Sequence, residues 1–146
     1  MARTIIAGFI AGFIAVLVFH QGTAFLLYKF GNGIPAVVSV FGQTPPPYNM
    51  APTRPLGVPT VLSQSFWGGV WGVVLALLLA RLRPPAILFS TVFGALALTA
   101  VAVTLVPYLK GLPTWNGAIP WRSLLYNGAW GFGTALMLIR PLRLRA

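Results

Sequence analysis

Residues 58–83 read VPTVLSQSFWGGVWGVVLALLLARLR, and this stretch decides the fold. It begins beside a proline, carries two Trp-Gly pairs one helical turn apart, and ends in two arginines. Its apolar run is long enough to cross a bilayer, because about 20 residues with a rise of about 1.5 Å each span the hydrocarbon. The stretch therefore predicts a transmembrane helix at residues 59–82.

The composition of the whole chain predicts that lipid, and not water, surrounds this helix. Of the 146 residues 58% are hydrophobic and only 7% are charged, whereas about a quarter of a soluble domain is charged. The ten cations stand at the ends of apolar runs and no acidic residue accompanies them. Cations in that position meet anionic membrane lipids. We therefore expect lipid partners and no binding to nucleic acid.

Three further apolar runs predict helices at residues 4–28, 85–106 and 120–139. The expected fold is all-α, a polytopic membrane protein with a single transmembrane domain over residues 1–146. A signal peptide is the competing interpretation of the first run, but that run is longer than a typical signal core. Residues 31–57 are rich in Gly and Pro and predict an external loop. The loop is either a lid or docking surface or a disordered connection.

The distribution of arginines predicts the orientation in the membrane. Four spans place six arginines on the side of the two termini and four cations on the other side. The positive-inside rule then favours cytoplasmic termini in a bacterial inner membrane. Insertion in both orientations is the alternative.

The second and fourth predicted helices resemble each other. Phe66–Arg83 aligns without gaps on Leu125–Leu142 at an offset of 59, with seven of eighteen positions identical. The first and third predicted helices match more weakly at an offset of 80. This pattern predicts two tandem helical hairpins, a parallel repeat about an axis along the membrane normal.

Small residues recur every four positions along the two matching helices. They are Gly68, Gly72 and Ala76 on the second helix and Gly131 and Ala135 on the fourth. Such stripes let helix backbones approach closely in lipid, which predicts a homo-oligomer or packing into a larger membrane complex. Gly8 and Gly12 have the same spacing, either for the same reason or by chance.

A few polar residues lie inside the predicted spans, where an unpartnered polar group is costly. These residues are His20, Gln21, Gln64, Ser65 and Asn127. They fall at a similar depth in three helices, so we expect them to converge, with four aromatic residues nearby: Trp67, Trp71, Tyr126 and Trp130. Their role is interhelical hydrogen bonding, a solute pocket or constriction, or a haem or quinone contact through His20.

The residue types exclude most enzymatic sites. The chain has no Cys, no Asp, no Glu and a single His, so it lacks the parts of catalytic triads, acid–base pairs and thiolate metal sites. We expect a non-enzymatic protein without cofactor or metal. The leading hypothesis is a small accessory subunit that packs against itself or a larger complex. The alternative is an oligomeric channel or transporter with a His/Gln/Asn polar layer.

Three motifs in the first half of the chain carry a family resemblance. They are Phe19-His20-Gln21, the stretch from Met50-Ala51-Pro52 to Gly57-Val58-Pro59, and Phe66-Trp67-Gly68-Gly69. With these motifs the chain resembles a group of small uncharacterised bacterial four-helix inner-membrane proteins. The resemblance implies the fold and the membrane location, and it implies no activity.

Overall fold

The computed structural model describes residues 1–145, and its regular structure is almost entirely helical. Four long helices follow one another along the chain. Helix I consists of α1 (Ala2–Ala15), a π-helical turn (Val16–His20) and α2 (Gln21–Lys29). A short helix, α3 (Pro35–Phe41), lies between helices I and II. The other long helices are helix II (α4, Thr60–Leu82), helix III (α5, Ala86–Phe93; a second π-helical turn, Gly94–Leu98; α6, Thr99–Val103; α7, Leu105–Leu109) and helix IV (α8, Trp121–Leu142).

The connection between helices I and II has regular structure of its own. It contains a 3₁₀ turn (Gly31–Gly33), the short helix α3 (Pro35–Phe41) and the strands β1 (Pro52–Thr53) and β2 (Val58–Pro59). The strands pair antiparallel, with Pro52 opposite Pro59 and Thr53 opposite Val58. Prolines also precede helices II, III and IV directly. A proline cannot donate the hydrogen bond that would extend a helix backwards, so each of these helices starts after one.

Three of the described helical runs are long and apolar enough to cross a membrane: Ala2–Gly33, Thr60–Leu82 and Ala86–Leu109. Helix IV has 22 residues but is not among them. Arg122 and Asn127 lie in its first two turns, and much of its surface is covered by the other helices. A helix that buries this much surface needs fewer lipid-facing apolar residues. The chain is thus a mostly helical protein with three helices able to span a bilayer.

Helices I and II form the most extensive contact in the molecule. Their glycines face each other: a Cβ built on Gly8 would lie 2.7 Å from the Gly72 carbonyl oxygen, and one built on Gly72 would lie 2.8 Å from the Gly12 Cα. Ala76 is fully buried beside Gly8. The stripe at Gly68, Gly72 and Ala76 therefore packs inside the chain, on the glycines of helix I.

Helices III and IV make the second close contact. A side chain on Gly131 would clash with the Ser90 carbonyl oxygen and would lie 3.3 Å from the Thr91 Cα. One turn further along, Gly94 packs against the backbone of Asn127. Ala135 is fully buried. The small residues predicted on helix IV thus also serve contacts within the chain.

Helix I lies between helices II and IV and joins the two pairs. Trp130 of helix IV is 1% exposed, and its indole Nε1 donates a hydrogen bond of 2.9 Å to the carbonyl oxygen of Gly12. Gly133 leaves room for the ring of Phe19, because a Cβ there would collide with that ring. The core is completed by buried aliphatic residues, Leu75, Leu79 and Leu138 among them. Helices II and III meet through aromatic residues: the ring centroid of Trp71 on helix II lies 6.2 Å from that of Phe93 on helix III.

Candidate functional site

The connection after helix I folds back over the ends of the helices. Asn32 binds Thr44 twice: its Nδ2 donates to the Thr44 carbonyl oxygen at 2.9 Å, and its Oδ1 accepts from the Thr44 amide at 2.8 Å. From helix IV, Arg122 Nη1 donates to the Gln43 carbonyl oxygen at 2.8 Å. These bonds hold residues 43–44 in place, and Thr44 is only 5% exposed.

Tyr48 fastens the other end of the same segment to helix I. Its amide donates to Gln21 Oε1 at 2.7 Å, and its hydroxyl donates to the Leu17 carbonyl oxygen at 2.9 Å. Leu17 lies in the π-helical turn, and the Gln21 amide at the end of that turn reaches back five residues to Val16. Such turns leave the regular α-helical pairing and frequently occur at functional sites. Residues 45–47, three prolines, span the distance between the two attachments.

A cavity of about 360 Å³ lies beneath these prolines. This volume is near the lower end for small-molecule sites, which run from about 300 to 1,000 Å³. Helices I, II, III and IV and the connection all contribute to its walls. The lining residues are His20, Gln21 and Ala24, Pro45–Pro47 and Asn49, Thr60 and Gln64, Ala102, and Arg122, Ser123, Tyr126 and Asn127.

Two hydrogen bonds between helices organise the polar wall. Gln21 is 5% exposed, and its Nε2 donates to Gln64 Oε1 at 2.9 Å. Asn127 Nδ2 donates to Thr99 Oγ1 of helix III at 3.0 Å. Gln21 and Thr99 are each the first residue after a π-helical turn. Each helical pair therefore contains one side-chain bond of the kind that stabilises helix association in lipid.

Four of the five polar residues singled out from the sequence border this one cavity: His20, Gln21, Gln64 and Asn127. Ser65 does not border the cavity. It is fully buried, and its hydroxyl donates to the Val61 carbonyl oxygen of its own helix at 2.8 Å. A Ser bonded in this way needs no partner on another helix.

The four aromatic residues expected near the polar groups lie in different places. Only Tyr126 borders the cavity, and its ring centroid lies 5.1 Å from that of His20. Trp67 is 59% exposed, Trp71 packs beside Phe93, and Trp130 is buried at the contact of helices I and IV. A spacing of four residues places side chains on one face of a helix, but which neighbour covers that face is decided by packing.

Sequence reasoning missed the cover of the site and the first turn of helix IV. From the sequence, Arg122 is counted only among the cations that set the orientation, and Ser123 is not singled out. The spacing of Arg122, Ser123, Tyr126 and Asn127, with both pairs one turn apart, already marks a polar face. For Asn32, Thr44 and Tyr48 the sequence held no signal beyond their place in a long connection.

The chemistry of the cavity is that of hydrogen bonding. It offers amides, hydroxyls, one imidazole and one guanidinium. The Tyr126 hydroxyl is buried beside the side chain of Thr44, which covers it. No family model, no curated protein and no solved structure matches this chain.

Proposed function

We propose that this protein is a non-enzymatic membrane protein that binds a small polar solute in the cavity beneath Pro45–Pro47 and functions as a channel or transporter. The observation that carries the proposal is the convergence of His20, Gln21, Gln64 and Asn127, from three helices, on one cavity of about 360 Å³. Interhelical bonding by itself needs no cavity, and apolar packing would fill the space at lower cost. The residue types of the chain, without Cys or carboxylates, favour binding over catalysis.

The proposal includes four spans arranged as two tandem hairpins. Gly72 of helix II receives the backbone of helix I, and Gly131, its counterpart at an offset of 59, receives the backbone of helix III. Trp130 binds helix I at Gly12, and its counterpart Trp71 packs on helix III at Phe93, beside Gly94. Equivalent residues making equivalent contacts support a parallel repeat. In such a repeat helix IV crosses the membrane as helix II does.

Labelling of single cysteines tests this topology, since the chain contains none of its own. We expect cysteines at Leu56 and Leu112 to react from outside the cell, because both side chains are exposed in the two connections proposed to lie there. Cysteines at Ala2 and at Ala146, which lies outside the described residues, should react from the cytoplasm only. Labelling of Ala2 and Ala146 from opposite sides would contradict four spans, and labelling of each site from both sides would indicate dual insertion.

A panel of solutes tests the binding itself. We expect a neutral, a cationic or an anionic small molecule to raise the melting temperature of the purified protein saturably, because a ligand at about 100 times its Kd stabilises a folded state by about 2.7 kcal/mol. The variant Ser123→Phe should fill the cavity and abolish the shift, while His20→Gln should change the flux of the same solute in liposomes. A shift that persists in Ser123→Phe, or no shift with any class of solute, contradicts the proposal.

The accessory subunit remains the second candidate, and one observation favours it. Phe66 and Trp67 pack edge to face on the outside of helix II and are 51% and 59% exposed. Exposed aromatic residues of this kind are enriched where proteins meet partners, although they also anchor helices at the membrane surface. A stable complex in mild detergent that dissociates in the variant Trp67→Ala, without any solute effect, would favour this candidate.

A further inference from the structure

The cavity contains a positive charge that no acidic group of the chain can neutralise. Arg122 is half-buried in its wall, and the sequence contains neither Asp nor Glu. Within residues 1–145 the guanidinium donates one hydrogen bond, to the Gln43 carbonyl oxygen. A guanidinium has five N–H donors and prefers to pair with planar or tetrahedral oxyanions. Its other donors remain for a ligand.

The neighbouring groups of the wall add further donors. Gln64 uses its Oε1 to accept from Gln21, and Asn49 uses its Oδ1 to accept from the Ala51 amide. Each keeps the two N–H donors of its NH₂ group for a ligand. The cavity therefore presents donors from helices II and IV and from the connection.

The backbone at the start of helix IV also favours a negatively charged ligand. Arg122 and Ser123 lie in its first turn, where amides lack an intrahelical acceptor and the helix dipole is positive. A cation would meet this positive end and the guanidinium without a carboxylate to hold it. A neutral solute would leave the charge of Arg122 uncompensated.

We propose that the ligand of this cavity is an oxyanion of the phosphate class, held by Arg122 with the side-chain amides of Gln64 and Asn49. This inference rests on the proposed function and names the class of its solute. The oxygen that Asn127 has left after binding Thr99 accepts from a P–OH or alcohol group of the ligand. A free phosphate and a phosphate carried by a lipid headgroup share this chemistry.

Equilibrium binding of radiolabelled inorganic phosphate to the intact, detergent-purified protein tests the proposal. We expect saturable binding of one phosphate per chain, with competition by sulfate and none by glycerol. Arg122→Gln keeps a donor for the Gln43 carbonyl oxygen but removes the charge, so it should weaken binding by about tenfold or more. The matched control is Arg54→Gln, which removes a charge from the exposed hairpin of the same connection and should leave binding unchanged.

Nanodiscs distinguish the two sources of the phosphate group. If the ligand is a lipid headgroup, phosphatidylglycerol nanodiscs will raise the melting temperature over phosphatidylcholine nanodiscs in the wild type and in Arg54→Gln but not in Arg122→Gln. Saturable binding of free phosphate or this headgroup effect, each lost in Arg122→Gln, supports the inference. Equal loss in Arg54→Gln, or the absence of both effects, overturns it. If glycerol binds while anions do not, the solute site survives and only its anionic character is wrong.

Discussion

We expect Gly72→Leu to abolish the stable folded state of the protein in mild detergent. A side chain at this position would clash with the Gly8 carbonyl oxygen and lie within 3.0 Å of the Gly12 backbone nitrogen. Both obstacles are backbone atoms, so the side chain can be accommodated only if helices I and II separate. Overpacking in a rigid core costs about 1–3 kcal/mol and occasionally more, and this contact is the most extensive in the molecule.

Gly22→Leu is the matched control, because a Cβ built on Gly22 meets nothing within 4 Å. It should leave the melting temperature and the elution profile of the wild type nearly unchanged. The measurement is the melting temperature in detergent together with the size of the particle. Dissociation of an oligomer into folded, equally stable chains in Gly72→Leu would instead place this stripe between subunits and would contradict the contact with helix I.

A second large loss of stability is expected for Gly131→Ala. A single methyl group at this position would clash with the Ser90 carbonyl oxygen and lie 2.8 Å from the Ser90 carbonyl carbon. Alanine is otherwise favoured over glycine in a helix by about 1 kcal/mol, so any destabilisation measures the forced separation of helices III and IV. We expect the melting temperature to fall by well over the error of the measurement, and the yield of folded protein with it.

Gly128→Ala provides the comparison on the same helix. Its Cβ would meet the Ala95 Cβ at 3.5 Å, an ordinary van der Waals distance, so the helical preference of alanine should leave stability equal or slightly raised. If the two alanine variants melt at the same temperature, helices III and IV do not pack as closely at Gly131 as the structure has them.

The sequence allowed a good part of the candidate site to be predicted. Intramembrane polar groups need partners, so the depth of His20, Gln64 and Asn127 in three helices was enough to expect them together. The cover could not be predicted, because the hydrogen bonds of Thr44 and Tyr48 join residues 12 to 31 positions apart in a segment without periodicity. The role of Arg122 was hidden for a related reason: a cation at the end of an apolar run predicts a membrane flank whether or not it also borders a cavity.

By itself, the sequence determined that the fold is helical, that three of its helices are apolar and long enough to cross a membrane, and where helices II, III and IV start. These follow from quantities that are local along the chain, namely apolar length, proline geometry and the absence of carboxylates. Only the tertiary structure decided which helix packs against each stripe of small residues. Gly68 and Gly72 pack on Gly12 and Gly8 of the same chain, although their spacing suits contact with a second copy equally well. Close helix contact in lipid depends on the shape of both surfaces, and a pattern on one helix carries no information about the shape of its partner.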